Sequence, residues 1–166
     1  MTKPILVPLT IKDHPVVQNM ARFYVYEMSR FCGWECPEDG LYECIDFKSY
    51  FTEPDRKAFM IKVGDELAGF VLLNKVVSTP DTDWNMGEFF VMGKFQQTGI
   101  GRQVAVNIFK QFPGTWEVGA IPENTRAYDF WHKIISGYTN GHYTETLTNV
   151  PPPSISPMKI FKFKTS

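Results

Sequence analysis

The residues whose types and spacing could do chemistry centre on Gln96, Gly99 and Gly101, a Gln-x-x-Gly-x-Gly arrangement that follows the apolar run Glu88–Met92. From there Ile100, Val104, Ile108 and Phe112 recur at every fourth position, with Ala105 and Phe109 beside them. That is one face of an amphipathic helix, and Arg102, Gln103, Asn107, Lys110 and Gln111 fall mostly on the other side. A strand, a glycine loop and a helix start presents unpaired backbone N–H groups and the positive end of a helix dipole to an anion. The chemistry this predicts is the holding of a phosphorylated ligand.

Other chemistry-bearing residues are isolated. Cys32, Cys36 and Cys44 lie close together, but three thiols lack the fourth ligand of a zinc site and match no finger or ribbon spacing. They read as reduced thiols, with no metal. His14 and His142 read as surface or loop residues. A formal charge of −1 gives no reason to expect nucleic acid or an anionic membrane as partner. No apolar run approaches the ~20 residues that span a bilayer, and the first residues are too short and too proline-broken for a signal peptide. A cytoplasmic protein is expected. With 166 residues, fourteen Phe, seven Tyr and four Trp, the chain reads as one well-packed domain over 1–166.

The elements that must position the glycine loop follow in order. Ile5–Leu9 reads as a strand, and Val16, Val17, Met20, Phe23, Tyr24 and Met28 as a helix with Asp13 as its cap, ending near Gly33. Residues 34–45 are turn-rich, and Asp46–Phe51 reads as a short helix. Lys57–Val63 and Leu67–Val77 form a hairpin around Gly64-Asp65-Glu66. After the loop Ser78–Asp83 come the strand at Glu88, the glycine loop and its helix. A strand over Thr115–Ile121 and a helix over Thr125–Ile135 come next. A turn bracketed by Gly137 and Gly141 leads to strands at Tyr143–Leu147 and Met158–Phe163, joined by a proline link over 151–157. This order predicts an α/β (α+β) domain, a central mixed sheet flanked by helices, with one βαβ unit.

Glycine spacing separates three phosphate-binding readings. An NTPase loop needs two glycines with four residues between them, followed by Lys-Ser/Thr, which is absent. A dinucleotide fingerprint needs a third glycine where Val104 stands. The Gln96-x-x-Gly99-x-Gly101 pattern resembles the pyrophosphate loop of the GNAT N-acetyltransferase superfamily. Glu88-Phe-Phe-Val91 resembles that superfamily's fourth strand, and Trp116-Glu117-Val118 its fifth. Asn124-x-x-Ala127-x-x-Phe130-Trp131 resembles the segment that follows.

The resemblance implies an acetyl-CoA-dependent N-acetyltransferase acting on a primary amine of a small molecule or protein by direct attack. Its alternative is a non-catalytic acyl-CoA-binding or regulatory module. It implies acetyl-CoA and an amine acceptor as partners, and it admits a homodimer. The backbone of Phe89, Phe90 and Val91 is expected against the acetyl and pantetheine arm. Gln96, Gln97, Thr98, Gly99, Ile100, Gly101 and Arg102 are expected around the pyrophosphate, and Asn124 and Trp131 against the cofactor. The strands around Val91 and Val118 are expected to splay and leave a slot for the thioester. Glu88 and Glu117, one on each side, are the candidate bases, though both also read as ordinary strand carboxylates. The tyrosine that commonly serves as general acid is replaced by Trp131, whose indole N–H is no acid at neutral pH. The proton for the leaving thiolate then comes from water or from Tyr128, one turn earlier, or is not needed, and core packing accounts for Trp131 better than a catalytic role does.

Overall fold

The computed structural model describes residues 2–152 and 154–166. Seven strands make one mixed sheet in the order β1-β2-β3-β4-β5-β7-β6: β1 (Pro4–Pro8), β2 (Lys57–Val63), β3 (Glu66–Asn74), β4 (Trp84–Val91), β5 (Gly114–Ala120), β6 (Tyr143–Thr148) and β7 (Met158–Thr165). Neighbours are antiparallel except β4 and β5, which are parallel. A parallel pair needs a crossover, and α3 (Ile100–Gln111) supplies it. Helix α3 and α4 (Thr125–Thr139) pack on one face, through Val104, Ile108, Phe109, Trp131 and Ile135. The other face takes α1 (His14–Cys32) through Val17, Met20 and Ala21, and α2 (Ser49–Thr52) through Tyr50. The expected mixed sheet between helices is the observed architecture.

Several boundaries differ from the expectation for local reasons. Strand β3 stops at Asn74 rather than Val77, because the Asn74 Oδ1 accepts the Val76 N–H (2.9 Å) and turns the chain out of the sheet. Strand β4 begins at Trp84, four residues before the apolar run, where Trp84 stacks on Trp116 of β5 with ring centroids 6.3 Å apart. Gly137 lies inside α4, not in a turn; the helix continues to Thr139, and Asn140 makes the left-handed stop (φ 51°). Burial of Ile134 and Ile135 beside Gly137 offsets a cost of about 1 kcal/mol for glycine in a helix. Asp13 precedes α1 but does not cap it with its side chain; the carboxylate accepts the Thr10 N–H (2.8 Å) instead. Of the proline link expected over 151–157, Pro153 lies outside the described residues.

Candidate active site

Two irregularities in β4 build the site. Its pairing with β5 is limited to Trp84–Trp116 and Asn85–Glu117, so the two parallel strands part from Met86 onward. On the other edge, Leu73 pairs with Met86 and Leu72 with Glu88, leaving Gly87 as the extra residue of a β-bulge. A Cβ at Gly87 would lie 2.4 Å from the Tyr50 hydroxyl and 2.6 Å from Asn74 Nδ2, so any side chain here would displace that hydrogen-bonded pair. The bulge also shifts the strand's alternation. Met86 packs in the core beneath α3 and α4, whereas Phe90 packs under α1 and α2, although unbroken alternation would put both on one face. Glu88, paired with Leu72 of that second core, is thereby turned toward α1.

The parted strands open a cleft of about 700 Å³ that includes Tyr24 and Met28 of α1, Tyr50 of α2, Glu88, Gly119 and Trp131. Glu88 is half-buried there. Burial lifts its carboxyl from 4.5 to about 7, and the Tyr24 hydroxyl pulls it the other way. Cys44 and Tyr50 are pushed up to about 12, by burial first and then by the charge of Glu88. Tyr24 is raised by the same two causes. Of these four groups only Glu88 changes charge near neutral pH. Cys44 therefore stays a thiol, and the cleft holds no cysteine nucleophile in it.

The second carboxylate behaves differently. Glu117 is 2% exposed and accepts from the Ser78 N–H (2.9 Å), Ser78 Oγ (2.8 Å), Thr82 Oγ1 (3.0 Å) and Thr79 Oγ1 (3.4 Å). Its lone pairs are occupied in pinning the loop between β3 and β4 to β5. Tyr128 does not reach the cleft. Its hydroxyl donates to Glu145 on β6 (3.1 Å), its ring lies against Phe161, and Lys159 Nζ sits 4.4 Å from the ring centre. Trp131 is buried edge-on to Phe89, with ring centroids 4.9 Å apart, and forms part of the cleft wall. Asn124 also borders the cleft, and its Oδ1 caps α4 by accepting the Ala127 N–H (3.0 Å).

At the end of β4 and the start of α3, the side chains of Phe90, Val91 and Ile100 are buried in the core, so only backbone groups of these residues could meet a ligand. Gln97 (φ 58°) and Gly99 (φ +85°) are both left-handed, and α3 starts at Ile100. Among the described residues, the amides from Gln97 to Arg102 have no hydrogen-bond acceptor. The two glycines serve different ends. A Cβ at Gly99 would meet nothing nearer than Gln103 Nε2 at 4.0 Å, so this side of the loop is open to a ligand. A Cβ at Gly101 would sit 3.0 Å from Phe130, so this glycine lets α4 pack closely against α3. Free amides around an open left-handed turn at a helix start fit a pyrophosphate. The Thr98 hydroxyl is turned back onto the Phe95 carbonyl.

Sequence reading passed over Tyr50, Asn74 and Gly87 as site builders. Tyr50 looks like any aromatic on an apolar helix face. Gly87, a glycine beside an apolar strand run, was the available sign of a bulge.

A mixed sheet whose single parallel pair opens over a titratable acid, next to a glycine loop of free amides, is the build of an acyl-group transferase. The chain belongs to the GNAT acetyltransferase family: the model of the Acetyltransferase (GNAT) family matches residues 21–136. An acetyltransferase from Thermus thermophilus shares the fold at 17% identity with a TM-score of 0.67, covering 98% of this chain and 97% of that one. The PaiA N-acetyltransferase from Thermoplasma acidophilum, solved in complex with coenzyme A, does so at 12% identity and 0.64, covering 98% and 99%. An aminoglycoside acetyltransferase from an uncultured soil metagenomic sample reaches 19% and 0.52, covering 79% and 86%. No curated protein sequence matches. Among the described residues no helix is long and apolar enough to cross a membrane, and no three His, Cys, Asp or Glu side chains gather as metal ligands.

Proposed function

We propose that the protein transfers the acetyl group of acetyl-CoA to a primary amine, of a small molecule or of a protein, with Glu88 as general base. One observation carries this reading: a carboxyl titrating at about 7 stands where β4 and β5 part, on the strand that leads into the loop of free amides. The coenzyme A bound by the Thermoplasma relative of the same fold supports the donor. Bound acetyl-CoA supplies the thioester carbonyl. The amides of Gln97 to Arg102, aided by the α3 dipole, hold the pyrophosphate, and the backbone of Phe89 to Val91 lies along the acyl arm. Asn124 and Trp131 flank that arm from α4. The Glu88 carboxylate takes the proton that the amine sheds as the N–C bond forms and the C–S bond breaks, and the coenzyme A thiolate leaves and takes a proton from water. Its raised pKa brings it closer to that of an amine than an ordinary carboxylate, so the transfer is less uphill. Glu117 keeps the loop over 78–82 in place, and Tyr128 takes no part.

Trp131 at a position where a proton-donating tyrosine is common favours a second reading, an acyl-CoA-binding module without turnover. Thiol release from acetyl-CoA, measured over a panel of amines, separates the two. Release that falls in Glu88→Gln supports the transferase; coenzyme A binding with no release from any amine supports the module. Absence of any melting-temperature shift with millimolar acetyl-CoA would sink both.

A further inference from the structure

The Gln96 side chain joins three elements that the chain keeps far apart. Its Nε2 donates to the Val91 carbonyl at the end of β4 (2.8 Å) and to both carboxylate oxygens of Glu27 on α1 (2.9 Å each). Its Oε1 accepts from Arg126 on α4 (2.7 Å). The partners fix the amide's orientation, because a flipped group would set its oxygen against a carboxylate and a carbonyl. An anion and a cation thus hold one neutral amide between them, with charge-assisted bonds on both sides.

This clamp stands next to the strained part of the loop. Gln97, the following residue, has φ 58°, a conformation that non-glycine residues adopt at a cost and keep only when their surroundings impose it. The amides left free for an anion begin at that residue. On the α1 side, the buried residues of the helix are Val17, Met20 and Ala21, all in its N-terminal half. Tyr24 and Met28, which wall the cleft opposite Glu88, lie in the other half on either side of Glu27. Tyr24 packs its ring on Phe70 and Phe90, and Glu27 ties the next turn to the loop.

We infer that Glu27 is a positioning residue that sets the phosphate-holding loop and the α1 wall of the cleft together, acting through Gln96. The inference rests on the acyl-CoA reading above. It makes coupling reciprocal: a ligand that orders the loop also steadies α1, and loss of the tie weakens that ligand.

Calorimetric binding of coenzyme A and amide hydrogen exchange test it in the full chain. Wild type should bind, and coenzyme A should slow exchange over residues 24–32. Glu27→Ala should weaken binding about tenfold, the size expected for losing a charge-assisted bond, and should abolish the slowing over 24–32. Glu27→Gln keeps an Oε1 acceptor for Gln96 and should recover affinity to within about threefold of wild type. A merely structural glutamate would lower the melting temperature of Glu27→Ala while leaving its affinity unchanged, and that result overturns the inference. So does undiminished protection of 24–32 in the variant. Failure of the wild type to bind coenzyme A would instead overturn the acyl-CoA reading itself.

Discussion

Glu88→Gln should lower activity and raise stability together. In the folded protein the carboxyl titrates at about 7, against 4.5 when unburied. Below pH 4.5 folded and unfolded chains both hold the proton, and the site is neutral for stability. Between 4.5 and 7 the unfolded chain releases its proton first, so stability falls as pH rises. Above 7 the deficit is constant, on the order of 3 kcal/mol at about 1.4 kcal/mol per pKa unit. Glutamine is nearly isosteric and never ionises, so it removes that deficit. At pH 8 the variant should melt roughly 6–12 °C higher than wild type, at about 2–4 °C per kcal/mol for a domain of this size. At pH 4 the two should melt together. Catalysis moves the other way. A positioned base contributes about 10²–10⁴-fold, so thiol release should drop by at least about a hundredfold. The wild-type kcat/KM should fall about tenfold per pH unit below 7, and that limb should vanish from whatever activity the variant retains. Scanning calorimetry and thiol release across pH 4–9 read both effects. Activity within about threefold of wild type, or a limb at pH 7 that survives in the variant, would refute the assignment of the base.

Three further outcomes follow from the same geometry. Glu117→Gln replaces an acceptor of the Ser78 amide by an N–H group and should cost about 2–3 kcal/mol; chemical denaturation should register it, while kcat of the folded fraction stays within about threefold. Gly101→Ala forces a Cβ to within 3.0 Å of Phe130 and should destabilise by about 1–3 kcal/mol as the ring gives way, with weaker coenzyme A binding in calorimetry. Tyr128→Phe removes a hydroxyl bonded to Glu145 away from the cleft, so its kcat should lie within about twofold of wild type, and a larger loss would return Tyr128 to the chemistry.

What could be read along the chain was local. The period of Ile100, Val104, Ile108 and Phe112 depends on neighbours one helical turn away, so α3 was legible. The glycine loop was legible too, because left-handed backbone and free helix-start amides need only a few consecutive residues. The hairpin of β2 and β3 followed from alternation and a turn. Boundaries at Asn74 and Gly137 were not legible, since a side-chain bond ends the first element and core packing carries the second through a glycine.

The choice between two similar glutamates lay beyond the sequence. Spacing puts Glu88 and Glu117 on equal terms, each on a strand beside the same gap. Glu117 is taken out by donors from Ser78, Thr79 and Thr82, at least 35 positions away along the chain, which the fold brings over it. Glu88 is kept in by a bulge whose glycine makes room for Tyr50 and Asn74. Gln96 was legible as the first residue of a loop motif, yet its tie to Glu27 spans 69 positions. Local pattern thus determined where left-handed backbone and a helix start meet; contacts between distant segments decided which carboxylate is held by four donors and which faces the cleft. Only packing can leave one acid half-buried beside a single tyrosine hydroxyl and give the other four donors.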